Sequence, residues 1–136
     1  MTNPDSTPGS RKSRPLSPHL QIYSPQMTSA LSILHRASGI VLTIGLFVLA
    51  WWLLAAAAGP EAYATFRAAA AHPVGVFVGL GLSYAAFFHL CTGIRHLIWD
   101  SGMFVTIPGI YRTGYTAIAV SVVLTVVFWL LLLKGA

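Results

Sequence analysis

At 136 residues, with 56% of them hydrophobic and 8% charged, the chain departs from soluble domains, in which about a quarter of residues carry charge. That composition describes an integral membrane protein, and the length restricts it to one small domain whose extended contacts come from lipid or partner chains. The formal charge of +5 does not describe a nucleic-acid binder, because the basic residues flank apolar runs instead of forming a stripe interleaved with aromatics.

Residues 1–28 form an N-terminal segment holding Arg11, Lys12, Arg14 and five prolines (Pro4, Pro8, Pro15, Pro18, Pro25). It has no apolar h-region, so no cleavable signal peptide is expected. Residues 29–136 read as an all-α domain of three transmembrane helices, at about 31–58, 74–99 and 113–134. Within them, residues 37–58, 74–94 and 113–133 contain no Asp, Glu, Lys or Arg. At about 1.5 Å per residue each stretch gives roughly 31–33 Å of helix, enough to cross a hydrocarbon core of about 30 Å.

On the first helix, Ser32, His35, Arg36, Gly39 and Thr43 recur at i, i+3, i+4, i+7 and i+11, the spacing of one helical stripe. Ser32 and Arg36 place a hydroxyl and a guanidinium together at the membrane edge, donors suited to a quinone carbonyl and to negative charge developing on its oxygen. The same two residues also read as a helix-start serine and a snorkelling headgroup anchor. Gly59-Pro60 stops this helix and His72-Pro73 opens the next, leaving 61–71 as a short loop with room for a helical turn.

On the second helix, His89, Thr92, Gly93, His96 and Asp100 repeat the spacing. His89 lies six positions before Arg95, roughly 9 Å from the membrane edge at helical rise, where an ionisable side chain faces a partner or a cavity. Two readings stay open: an interhelical hydrogen bond, or an axial ligand of haem iron, which a neutral imidazole suits. Gly93, one turn along, leaves space for a flat macrocycle. His96 and His35 lie near the interfacial edge. No other histidine shares the depth of His89, so a six-coordinate haem would take its second ligand from another subunit.

Gly75-x-x-x-Gly79 reads as a close-packing motif, and Trp51, Trp52 and Trp99 as interface anchors. Asp100 reads as support for proton delivery or, by preference, as a structural partner of Arg95 or His96. The lone Cys91 excludes an internal disulfide, and the lack of C-x-x-C-H excludes covalent haem attachment. Pro108-Gly109 breaks the connection to the third helix. Six basic residues (Arg11, Lys12, Arg14, Arg36, Arg95, Arg112) face two (Arg67, Lys134) across the spans, which predicts a cytoplasmic N-terminus.

Three segments, "RPLSPHLQIY" (14–23), "SILHRASG" (32–39) and "HLCTGIRHLIWD" (89–100), together resemble the cytochrome b membrane-anchor subunit of succinate dehydrogenase, respiratory complex II. The resemblance runs over about residues 14–134, with Ser38 where the family often has threonine. It implies a non-catalytic subunit packed with a second small membrane anchor, alongside a flavoprotein that oxidises succinate and an iron–sulfur subunit that relays electrons. It further implies that residues 1–28 contact the iron–sulfur subunit, and that Ser32 and Arg36 bind ubiquinone or menaquinone. His89 would be an axial ligand of haem b, with His35, His96 and Arg36 near the propionates and the second anchor supplying the other axial histidine. The implied location is the bacterial inner membrane, the mitochondrial inner membrane being the alternative. Fumarate reductases use related anchors, and a haem-free structural anchor, its polar stripes serving only to join helices, is the rival reading.

Overall fold

The computed structural model describes residues 26–135; the N-terminal segment, with "RPLSPHLQIY", lies outside the described residues. Four helices follow in order: α1 (Met27–Ala58), α2 (Pro60–Ala71), α3 (Pro73–Asp100) and α4 (Ile107–Gly135). Among the described residues, α1, α3 and α4 are long and apolar enough to cross a membrane. The chain is thus all-α and an integral membrane protein.

Local sequence chemistry sets each corner. α1 ends at Gly59, whose φ of 115° is costly for residues with a Cβ, and Pro60 then occupies the first turn of α2. Residues 61–71, expected as a loop, are helical throughout. Pro60 fits the first helical position, Glu61 suits the N-terminal dipole, and six of the twelve residues of α2 are alanine. His72 separates α2 from α3: its ring Nδ1 accepts the Val74 N–H at 3.3 Å and Pro73 opens the next helix. Gly75 is required there, since a Cβ would collide with the Ala69 carbonyl oxygen.

Pro108-Gly109 does not break the chain before α4 but lies inside its first turn. Proline is tolerated there because the first-turn N–H groups have no intrahelical partner. Thr106 accepts the next free donors, Gly109 N–H through its Oγ1 at 3.4 Å and Ile110 N–H through its carbonyl at 2.9 Å.

α3 lies between α1 and α4, packing extensively on both. The buried stripe of α4 is small: Gly114, which meets α1, is followed by Ala117, Ser121 and Thr125. Small residues let membrane helices approach closely, which matters where lipid tails offer no hydrophobic gain for association. Ser121 and Thr125 avoid unsatisfied hydroxyls by donating to the Ile118 and Ser121 carbonyls of their own helix, each at 2.8 Å. Near the far end, Trp129 Nε1–H donates to Ser83 Oγ at 2.9 Å and ties α4 to α3. Gly79, of the expected close-packing motif, faces the Trp129 ring. Large apolar side chains cover the outside, Phe47 and Phe77 being three-quarters exposed, as lipid or neighbouring chains demand.

Because α1 and α3 run antiparallel, the beginning of α1, the end of α3 and the beginning of α4 share one end of the bundle. Met27 and Leu31 of α1 reach Gly114 of α4 there. This end carries the polar residues.

Candidate functional site: a histidine cluster between α1 and α3

His35 of α1 and His89 and His96 of α3 come together. The His35 and His89 rings stack, with centroids 3.9 Å apart and planes 13° from parallel; His96 lies 5.1 Å from His35, tilted by 47°. Two glycines make room. A Cβ on Gly39 would stand 3.2 Å from His89 Cε1, and one on Gly93 would stand 3.8 Å from His35 Cε1. His89 thus points at α1 and not outward to lipid.

The hydrogen bonds fix the tautomers. His89 Nδ1 lies 3.1 Å from the His35 carbonyl oxygen, which only accepts, so Nδ1 carries the proton and donates it. Thr92, fully buried, donates its hydroxyl proton to the Phe88 carbonyl at 2.6 Å. Its oxygen therefore accepts from His35 Nδ1–H at 2.8 Å. His96 Nδ1–H donates to the Thr92 carbonyl at 2.7 Å. All three imidazoles commit their Nδ1 protons inside the helix pair, and Nε2 of each has no hydrogen-bond partner among the described residues. No group of three or more His, Cys, Asp or Glu among those residues is arranged as a metal cage, so the cluster offers single imidazole donors.

The expected α1 stripe divides. His35 and Gly39 face α3, whereas Arg36 and Thr43 are exposed and Ser32 is half-buried. Ser32 and Arg36 form no hydrogen bond among the described residues. Ser38 was absent from the expected stripe, yet it is buried at 7% exposure and its Oγ lies 3.0 Å from His89 Nδ1. Its signals in the sequence were its place three residues after His35 and its membership of the "SILHRASG" segment.

Arg95 and Asp100 also differ from expectation. Asp100 is exposed and forms no ion pair among the described residues. Arg95 is buried, 3% exposed, and turns instead to α4: Nε–H donates to Thr113 Oγ1 at 3.2 Å, and an Nη2–H donates to the Ile110 carbonyl at 3.3 Å. Its guanidinium also lies 3.7 Å from the centre of the Trp99 ring, a cation–π contact. Trp99, expected at the interface, is consequently half-buried and serves as a platform for this arginine. Cys91 is a free thiol beside the same α3–α4 contact.

These features define a small integral membrane subunit: three apolar spans, and one cluster of polar side chains held between two of them. By sequence, the chain belongs to the succinate dehydrogenase/fumarate reductase transmembrane subunit family, whose model matches residues 10–128. It is 42% identical over 117 residues to the succinate dehydrogenase cytochrome b556 subunit of Rickettsia conorii, covering 85% of this chain and 90% of the relative. The subunit of the same name from Paracoccus denitrificans is 37% identical over 116 residues, 85% of this chain and 89% of its own. The mitochondrial succinate dehydrogenase cytochrome B subunit of Schizosaccharomyces pombe is 40% identical over 117 residues, 82% of this chain and 65% of its own. Membership agrees with the resemblance carried by "SILHRASG" and "HLCTGIRHLIWD".

Proposed function

We propose that this chain is the membrane anchor through which succinate dehydrogenase delivers electrons to quinone, that it forms part of the quinone-reduction site, and that it binds haem b jointly with a second anchor subunit. The relatives are named as cytochrome b subunits of succinate dehydrogenase, which favours succinate oxidation over fumarate reduction as the working direction. Their bacterial members support the inner membrane as the location. The basic residues at the histidine-bearing end support a cytoplasmic N-terminus, from which residues 1–28 would reach the iron–sulfur subunit.

The observation that carries the haem reading is the His89 hydrogen bond to the His35 carbonyl. A histidine that ligates iron through Nε2 characteristically gives its other N–H to a carbonyl or carboxylate, which fixes tautomer and ring orientation. The donor set fits the group: Nε2 of His89 retains its lone pair, Gly39 admits the His89 ring edge and Gly93 leaves room beside His35, and His35 and His96 stand beside it as candidate propionate partners. When bound, haem b would supply a one-electron centre. The second axial histidine would come from the second anchor.

At the quinone, this chain's work is to bind and to stabilise charge. Ser32 Oγ–H and the Arg36 guanidinium donate to a quinone carbonyl oxygen, and the guanidinium offsets negative charge as two electrons arrive from the iron–sulfur subunit and two protons from the cytoplasmic side complete the quinol. Such donors act through geometry fixed before the reaction, which α1 supplies by holding both residues one turn apart. Arg36 is exposed in the single chain, as a residue completing a site against partner subunits would be.

The test is an assembled complex carrying Ser32→Ala or Arg36→Leu. Quinone reduction should fall by about 10²–10³, the usual loss for one charge-stabilising donor, while succinate oxidation by an artificial acceptor persists. Equal loss of both activities, or retention of both, would refute the assignment. The rival reading as a haem-free structural anchor predicts no b-type absorbance in the purified assembly.

A further inference from the structure

We infer that Ser38 is a positioning residue that sets how strongly His89 donates to the haem iron; this rests on the haem reading above. The buried Ser38 hydroxyl has one proton, and it goes to the His35 carbonyl at 2.7 Å. Only lone pairs are left to face His89 Nδ1, 3.0 Å away. The Nδ1 proton is therefore shared between two acceptors, Ser38 Oγ and the His35 carbonyl oxygen at 3.1 Å. Because its own proton is tied down, Ser38 cannot donate to Nδ1, so it opposes the tautomer that would leave Nε2 protonated and unable to ligate.

An acceptor pulling on Nδ1–H raises electron density at Nε2, which favours ferric over ferrous iron. The surroundings hold this geometry in place. The His35 ring is stacked on one face of His89, and Gly39 admits the ring edge to within contact of the α1 backbone. Ser38 also lines a groove of about 370 Å³ between α1 and α3, with Leu34, Val41, Tyr84 and Phe88. An added methyl group has space there.

That space permits a matched pair of substitutions. Ser38→Thr keeps the hydroxyl, and Ser38→Val keeps the same shape without it. In the purified complex, redox titration of the haem b absorbance should give Ser38→Thr a midpoint close to wild type. Ser38→Val, and Ser38→Ala with it, should favour ferrous iron about tenfold more, the lower end of the usual effect of removing an outer-shell partner; for one electron this is a rise of about 59 mV.

Equal midpoints in the Thr and Val variants, with haem present in both, would overturn the role of Ser38 and leave the haem reading standing. Absence of haem from the wild-type complex would overturn both. Failure of both the Val and Ala complexes to assemble while the Thr complex does would make Ser38 a packing residue and likewise overturn the assignment.

Discussion

Thr92 is the residue on which the α1–α3 contact turns, and Thr92→Val removes its oxygen while keeping its shape. The hydroxyl is fully buried and links two helices by donating to the Phe88 carbonyl and accepting His35 Nδ1–H at 2.8 Å. The Phe88 carbonyl keeps a helical partner in the variant, so its loss is small. The His35 N–H is left without an acceptor, which in a water-excluded core costs about 1–3 kcal/mol. Two considerations place the effect at the low end: the His35 ring is only half-buried, and interhelical hydrogen bonds in membranes average about 0.6 kcal/mol with a ceiling near 1.7. We expect a loss of about 1 kcal/mol, with Thr92→Ser retaining most of the stability because its hydroxyl can keep both contacts. The assay is unfolding of the detergent-purified chain by sodium dodecyl sulfate, followed by tryptophan fluorescence. A Thr92→Val midpoint at or above that of the wild type would refute the reasoning, since it would mean that the buried oxygen contributes nothing to joining the helices.

Two further outcomes follow from glycines at opposite ends of the bundle. Gly39→Ala places a methyl group 3.2 Å from His89 Cε1, closer than the usual carbon contact of about 3.5–4.0 Å. The ring must retreat by a few tenths of an ångström, and Gly39→Leu should abolish the haem signal of the purified complex where Gly39→Ala only reduces it. Gly75→Ala brings a Cβ against the Ala69 carbonyl oxygen, a backbone atom that cannot rotate away. The α2–α3 corner should open at a cost of about 1–3 kcal/mol, lowering the thermal midpoint of the complex. Quinone reduction per assembled complex should be unchanged, because the corner lies at the far end of α3 from the histidines.

The spans were legible because nothing else explains three runs of more than twenty residues without a charge. The helix α2 was not read as such because a search for long apolar runs passes over it, although Pro60, Glu61 and its alanines favour helix individually. The α1 stripe shows a subtler limit. Spacing of three and four residues turns a helix to either side of the starting position: relative to His35, Gly39 lies about 40° one way and Ser38 about 60° the other, whereas Arg36 is about 100° round. Which of these meets α3 depends on where the partner helix sits, and periodicity carries no such direction. His89 was recognisable as expensive from its depth alone, but its partner was not, since the His35 carbonyl is invisible to any reading of side chains. The destination of Arg95 was hidden for a related reason. Of its hydrogen-bonding partners, Thr113 is the first residue of the expected third span and the Ile110 carbonyl precedes it, because α4 begins six residues earlier, at Ile107.

The buried Arg95 also constrains the order of biogenesis. Its guanidinium belongs to α3 but finds its hydrogen-bond acceptors on α4, so a nascent chain that has emerged only as far as Asp100 leaves that cation facing headgroups and water. The acceptors that bury the guanidinium are present only once α4 has joined α3. The burial of this one guanidinium is therefore completed only by the last two spans together.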